Sequence, residues 1–505
     1  MDTERMMKLA RELPVLYIQE VFDEQLWKKE KDIVNSVRDN IRTTVRSCHG
    51  SGKSYVSARI ALWFLYNYPN SKVITTAPTF RQVQDILWRE IRTAHSKAKI
   101  PLSGKPLQTS LEIDTNWFAL GLSTDDPDRF QGYHSDYILL ICDEAAGIRE
   151  EIFEASTGIV SSEHAKELYI GNPTNVSGTF YNSFKLPNYN KITISAFDTP
   201  NFTTFGITLD DIRNGTWQDK ITATLPSPYL ITPEWVADKL YRWGEGTPMW
   251  DSRVMGSFPV QGDDTLIPLT RVEEAVNREV EVLDTDHEMI GVDIARFGGD
   301  KTIFMYRKGN KVLEMKEFSH KDTMETAQNL FAFAELYPNA SINLDVIGVG
   351  GGVVDRIRQL LPTRNIIPVN VGESAIDKER FLNKRAELYW NLREMFIKGE
   401  IQIPNDEDLI AQLSSQKFKF TSRGQIQIEA KDEFKKRGMG SPDKADALML
   451  AFNTVGTTLL FTTLEKPLIP TDEVKIEYHQ MTDEDLKAEE LKADLAIMKQ
   501  QRPSW

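Results

Sequence analysis

Ile41-Arg42-Thr43-Thr44-Val45-Arg46-Ser47-Cys48-His49-Gly50-Ser51-Gly52-Lys53-Ser54 decides the reading of the first half of the chain. Residues 41–46 are rich in β-branched side chains and predict a strand. Residues 53–66 predict a helix. The turn between them is built for a phosphate. Gly50, Ser51 and Gly52 let backbone N–H groups close around phosphate oxygens, and the helix N-terminus adds partial positive charge. Lys53 is spaced to reach β- and γ-phosphates, and the Ser54 hydroxyl to ligate magnesium. Ser47 stands where the usual pattern has its first glycine. The competing reading, a chance Gly-Ser turn, is weakened by the strand before it and the helix after it.

A nucleotide site of this kind needs a second element, an apolar strand ending in acids. Tyr137-Ile138-Leu139-Leu140-Ile141-Cys142-Asp143-Glu144 supplies it. Asp143 would hold magnesium through water, and Glu144 would polarise the attacking water. Further strands are predicted at 73–77, 168–170 and 191–195. Strands alternating with helices predict an α/β fold with a parallel sheet and helices on both faces. We assign residues 1–240 to this P-loop ATPase domain.

From residue 217 to 282 the pattern is broken by Pro226, Pro228, Pro233, Pro248, Pro259 and Pro268, and we take 241–284 as a linker region with short helices. A second regular block, 285–460, opens with Met289-Ile290-Gly291-Val292-Asp293. An acid in an otherwise apolar strand is costly to bury unless it pairs or binds metal. Ser341-Ile342-Asn343-Leu344-Asp345 repeats the pattern. Ser441-Pro442-Asp443-Lys444-Ala445-Asp446 then places two acids at i and i+3, on one helical face. Three acid positions from two strands and a helix suit a two-metal phosphodiesterase site. Magnesium and manganese prefer oxygen ligands, which fits the lack of His and Cys. Asp446 is a weaker fourth ligand, a structural helix cap or a member of an ion pair, and Asp300 caps the turn of its hairpin. Lys431, Lys435, Lys436 and Arg437, just before the third acid, form a basic face suited to DNA phosphates or simply solvated.

Composition bounds the rest. The chain has 505 residues, 41% hydrophobic and 27% charged, the balance of a globular protein with more than one core. Two cysteines cannot make a disulfide framework. No run is long enough to span a bilayer, which places the chain in a cytoplasm. A net charge of -14 excludes a general nucleic-acid coat and leaves room for a local basic groove. Residues 461–505 form a charged tail, either frayed or a docking segment for a partner.

Several of these parts, in this order, resemble the large subunits of tailed-phage terminases. They are the loop 46–54, Val73-Ile74-Thr75-Thr76-Ala77-Pro78-Thr79, Arg129-Phe130-Gln131-Gly132, Asp143-Glu144-Ala145, Gly171-Asn172-Pro173-Thr174, and the acids Asp293, Asp345 and Asp443 to Asp446. The resemblance implies an N-terminal P-loop ATPase of the additional-strand, catalytic-glutamate type and a C-terminal RNase H-like nuclease. It implies a motor that uses ATP and magnesium to move double-stranded DNA into a procapsid. It also implies cutting of that DNA with magnesium or manganese, two ions in all, held by Asp293, Asp345 and Asp443. The implied partners are the portal ring, the procapsid, a small terminase subunit and further copies of the chain, a pentamer on the portal. The implied location is the host cytoplasm, transiently on the procapsid, with no membrane.

Arg129 resembles the arginine offered to a neighbouring subunit's γ-phosphate; a surface arginine pairing Asp126 or Asp128 is the alternative. Asn172 and Thr174 resemble a coupling segment, or end a strand in a simple turn. Relatives place a basic residue inside the loop where this chain has His49, which leaves Arg46 as the candidate for a cis role. Relatives read adenine with an upstream Trp-Gln pair, where this chain has Gln25-Leu26-Trp27-Lys28 in a different order, which makes Gln25 the candidate for adenine recognition. Two other classes compete: a P-loop helicase or repair ATPase with an appended nuclease, and a virion structural protein with a degenerate ATP site.

Overall fold

The structure is a computed structural model that describes residues 3–122, 130, 132–260, 262, 264–295, 300–319, 321–347 and 350–453. Arg129, Gln131, the turn at 296–299, the end of the second block after 453 and the tail 461–505 lie outside the described residues. The described residues belong to one compact unit ending at Thr454.

The first sheet is built from β1 (Arg42–Ser47), β2 (Lys72–Thr76), β3 (Ser110–Asp114), β4 (Trp117–Gly121), β5 (Tyr137–Asp143), β6 (His164–Gly171) and β7 (Asn190–Ile194). Their spatial order is β3-β4-β2-β5-β6-β1-β7. Every ladder is parallel except β3 with β4. The expected α/β class therefore holds, with one addition. The hairpin β3–β4 was not anticipated, because the partly exposed edge segment Ser-Leu-Glu-Ile-Asp carries too little apolar signal. The helix Lys53–Asn67 is buried along almost its whole length, since it is covered on its outer side as well. The helix Thr3–Glu12 lies over it, and Trp63 Nε1 donates to Ala10 O at 2.8 Å.

The position of β6 decides the chemistry. It is inserted between the loop strand β1 and the acid-bearing strand β5. This is the additional-strand arrangement, and it sends the residues after β6 between Lys53 and Glu144. Gly171 ends β6 at a close approach: a Cβ there would sit 2.8 Å from Ala145 N.

The second sheet contains β8 (Glu288–Asp293), β9 (Thr302–Lys308), β10 (Lys311–Phe318), β11 (Ser341–Asp345) and β12 (Ile366–Val369), in the order β10-β9-β8-β11-β12. The first three run antiparallel, while β11 and β12 run parallel to β8. This is RNase H-like topology. A small hairpin is formed by β13 (Phe418–Phe420) and β14 (Ile426–Ile428). The helix Lys384–Lys398 starts where the Asn383 side chain caps it by accepting from Ala386 N at 3.0 Å.

The segment expected to be a linker is anchored at both ends. The expected boundary at 240 falls inside the helix Pro233–Trp243. Residues around the helix Pro248–Arg253 attach to the phosphate loop, where His49 N donates to Arg253 O at 2.8 Å. Residues 264–277 attach to the nuclease-like part instead. Leu266 N donates to Gln416 O at 2.8 Å, Lys417 Nζ to Asp264 Oδ2 at 2.7 Å, and Ile403 N to Ala275 O at 3.2 Å. Leu266, Leu269 and Val272 are fully buried, so this stretch is core rather than tether.

Candidate functional site

Two charged centres stand at strand ends of the two sheets. At the first, Gly50 and Gly52 adopt positive φ, +59° and +85°, conformations that favour glycine. Lys53, at the start of the buried helix, reaches Asn172 Oδ1 at 3.3 Å and Glu144 Oε1 at 3.6 Å. Ser54 Oγ donates to Asp143 Oδ2 at 2.8 Å. Asn172 Nδ2 donates to Ser47 O at 2.6 Å, and Asn172 N to Glu144 Oε2 at 3.4 Å. Thus the loop, both acids and Asn172 converge as the sequence predicts. Thr174 is buried just behind them, its N–H on Asn172 O at 3.0 Å.

The electrostatics separate the two acids. Burial, reinforced by the Glu144 charge, raises Asp143 to about 6. Burial also opposes ionisation of Glu144, but Lys53 and Arg253 outweigh it and hold the carboxyl below its ordinary value. Glu144 has φ +48°, a left-handed backbone that a non-glycine residue adopts at a cost. Such strain is of order 1–2 kcal/mol and collects at functional positions. Among the described residues the buried hydroxyls of Ser47 and Ser51 have no hydrogen-bond partner, so the loop holds spare donors for an anion. A phosphate therefore fits here, and the Ser54–Asp143 pair is an oxygen set suited to magnesium.

Three expectations change at this centre. Arg46 does not reach the loop. Its guanidinium donates to Thr193 Oγ1 at 2.9 Å and lies 5.1 and 5.4 Å from the rings of Phe184 and Phe258. His49 stacks on Trp235 at 5.9 Å, and desolvation, then Lys53 and Arg253, push it down to about 4, so it brings no charge near neutral pH. Gln25 is exposed and accepts from Gln19 at 2.7 Å. Arg253, which sequence reasoning missed, joins the site by donating to Asn172 Oδ1 at 2.7 Å and to Glu273 Oε1 at 2.7 Å. No motif signals it; only packing brings it there.

At the second centre, register aligns the strand acids. Val292 pairs with Leu344, so Asp293 and Asp345 follow at the same end of neighbouring strands. Gly291 and Asp293 share one face of β8. A Cβ at Gly291 would lie 2.3 Å from Ala447 O and Ala451 N; glycine thus lets the helix Asp443–Ala451 lie directly on the strand. The far end of that helix is pinned by Asn343 Nδ2, which donates to Leu450 O at 2.8 Å and Asn453 O at 2.7 Å. Its near end then delivers Asp443 and Asp446 to Asp293. All three are buried, at 3–5% exposure.

Lys431 stands among these acids. Its ammonium is 3.1 Å from Asp293, 2.9 Å from Asp446 and 3.6 Å from Asp443. Burial raises Asp293 to about 8, despite the lysine. Asp446 behaves oppositely. Burial opposes its charge, but Lys431, Arg385 and the Tyr389 hydroxyl hold it at about 2. Tyr389 donates to it at 2.6 Å and Arg385 at 3.1 Å. Asp443 accepts from Lys301 N at 2.8 Å and Ser441 Oγ at 2.5 Å. Asp345 accepts from Ile347 N at 3.0 Å, and burial raises its carboxyl too.

Among the described residues no three acidic side chains converge on one ion-sized point; the Lys431 ammonium stands between them. An all-oxygen donor set already holding a cation fits a divalent metal. Three cations of the basic face expected before Asp443 are paired, while Lys436 is exposed. Besides Lys431, Lys435 pairs with Asp300 at 2.7 Å and Arg437 with Glu429 at 2.6 Å. Proximity to acids, which suggested phosphate contact, instead satisfies these cations internally. Asp300 is accordingly a partner of Lys435.

No family model matches the chain. It is 26% identical over 450 residues to a probable terminase large subunit of Enterobacteria phage P7, covering 84% of this chain and 87% of that one. It is 23% identical over 433 residues to the terminase large subunit of Thermus virus P23-45, covering 80% and 82%. Among solved structures, the large terminase of a thermophilic bacteriophage is similar over 82% of this chain and 97% of its own, at 12% identity and a TM-score of 0.37. Among the described residues no helix is long and apolar enough to cross a membrane. Over four fifths or more of its length, the chain is thus similar to the large subunits of phage terminases.

Proposed function

We propose that the chain is the catalytic subunit of a viral DNA-packaging motor, which hydrolyses ATP at the loop centre and cuts double-stranded DNA at the acidic centre. The observation that carries the reading is the pairing of Lys53, Asp143, Glu144 and Asn172 at one sheet with the buried Asp293, Asp443 and Asp446 at the other. Lys53 compensates β- and γ-phosphate charge. Glu144, kept ionised by Lys53 and Arg253, accepts hydrogen bonds from and orients the attacking water. Ser54 and Asp143 would hold magnesium, which when bound neutralises the phosphate oxygens. Asn172 touches both Lys53 and the Glu144 carboxylate, so it senses which of them has moved.

At the second centre Asp293, Asp345 and Asp443 would hold two divalent ions, which when bound supply the charge that activates water and stabilises the leaving oxygen. Asp446, saturated by Tyr389, Arg385 and Lys431, positions Lys431 and the helix. A second sheet that is mixed and acid-bearing, rather than another ATP core, speaks against a two-core helicase. The proposed partners are double-stranded DNA, the portal ring and procapsid, a small terminase subunit and further copies of the chain, with Arg129 in trans.

Assaying DNA-stimulated ATP hydrolysis and plasmid cleavage on one preparation tests the reading. Glu144→Gln should abolish the first, and Asp293→Asn the second. Wild-type protein with neither activity would refute it.

A further inference from the structure

Two cations converge on one neutral oxygen in the loop centre. Lys53 Nζ at 3.3 Å and Arg253 Nη1 at 2.7 Å both donate to Asn172 Oδ1. Glu144, 3.6 Å from Lys53, and Glu273, 2.7 Å from Arg253, each offset part of this charge, but the shared amide oxygen is neutral, whereas a phosphate oxygen in its place would carry charge to both cations. Arg253 is also fixed in place by its backbone. Its carbonyl accepts from His49 N of the loop at 2.8 Å. Three residues on, Gly256 passes so close to the loop that a Cβ would lie 2.1 Å from Ile194 O and 2.9 Å from Cys48 N. Glu273 Oε1 holds the other guanidinium nitrogen at 2.7 Å and leaves Nη1 directed at the lysine's partner. Besides Lys53, the loop carries His49, which is uncharged near neutral pH, and Arg46, which faces Phe184 and Phe258.

We propose that Arg253 is a cis-acting residue of the nucleotide site, which exchanges Asn172 Oδ1 for a γ-phosphate oxygen when ATP binds. The proposal rests on the ATPase reading above. Arginine suits this place because its planar fork can hold Glu273 and a phosphate oxygen together. Its exchange releases Asn172, the residue between Lys53 and Glu144, so the same step loads the phosphate and frees the sensor. Because Glu273 belongs to the helix Leu269–Asn277, which packs with the nuclease-like part, the guanidinium also ties the γ-phosphate to that part.

The test compares two nucleotides that differ only in the terminal phosphate. Binding of ADP and of a non-hydrolysable ATP analogue is measured by calorimetry on full-length wild type, Arg253→Ala and Arg253→Gln. The glutamine can still donate to Asn172 but carries no charge, so it keeps the test valid if the alanine variant misfolds. ADP affinity should stay within about twofold of wild type, analogue affinity should fall about tenfold or more, and ATP turnover should fall by about 10²–10³. Equal losses for both nucleotides would make Arg253 a pillar of the loop and overturn the proposal. Unchanged analogue affinity and turnover would overturn it as well. Wild type that binds neither nucleotide would overturn the ATPase reading itself, and this proposal with it.

Discussion

The two centres are electrostatic opposites. The loop centre sets two cations, Lys53 and Arg253, on the neutral oxygen of Asn172, with Glu144 3.6 Å from the lysine. The second centre gathers acids, Asp293, Asp443 and Asp446, around the cation Lys431. Each is therefore shaped for a ligand of its own deficit, an anion in the first and cations in the second. In each, a side chain of the chain itself meets part of that deficit. A buried charge without a partner costs several kcal/mol; one that is partnered by a displaceable group remains both stable and available.

The sharpest way to break the comparison is to remove one charge from each side. Lys53→Ala should lower ATP turnover by at least about a hundredfold and leave metal-supported plasmid cleavage in place. Asp293→Asn should do the reverse, since it keeps shape and removes ligand charge. If either variant loses both activities while its thermal midpoint is unchanged, the two centres are one coupled engine rather than two.

Next in size is Lys431→Ala. Removing the cation leaves three acids facing one another, so the variant should be destabilised in chelator. Breaking a buried ion pair costs roughly 3–5 kcal/mol, and the partial exposure of the lysine, at 36%, puts the effect at the low end or below. Manganese should restore much of the loss, which paired melts with chelator and with manganese would read. Equal midpoints in the two conditions would show that the acids do not hold the metal.

Gly291→Ala sharpens the geometry. Its Cβ would push on Ala447 O and Ala451 N, so the last helix must lift and carry Asp443 away from Asp293. A cost of about 1–3 kcal/mol is expected, with cleavage impaired and ATP turnover retained. Wild-type cleavage by this variant would mean that the helix is not held as close as Gly291 implies.

A pH-dependent effect concerns Glu30, buried beneath Gly52 with Oε1 unpartnered among the described residues. Burial raises its carboxyl from 4.5 to about 8. An acid whose folded pKa lies above its unfolded value gives stability that is complete below the unfolded pKa. That stability drains away as pH rises through the folded one. Wild type should thus lose stability between about pH 4.5 and 8, and Glu30→Gln should flatten that slope. Denaturant midpoints across the interval would show it; parallel curves for the two proteins would deny it.

Much of both centres was legible because their signals are local. Gly-Ser-Gly-Lys-Ser between a strand and a helix, an apolar strand ending in Asp143-Glu144, and Asp293 in an apolar run each announce themselves within a few residues. The edge hairpin β3–β4 and the strand Ile366–Val369 were missed because short, partly exposed segments carry little periodicity. The basic face was misjudged because charge in sequence does not show who pairs with it. Lys435 meets Asp300 across 135 residues.

What the sequence determined by itself was the backbone chemistry: where a phosphate loop turns, which strands end in acids, and in what order the two sheets follow. Those features depend on neighbours along the chain, whose conformations are set by local sterics and hydrogen bonding. Only the tertiary structure decided which charges stand together. Arg253 reaches Asn172 across 81 residues, and Lys431 reaches Asp293 across 138. Such meetings leave no periodic trace, because they are fixed by how helices close onto sheets, here through the bare backbones of Gly256 and Gly291.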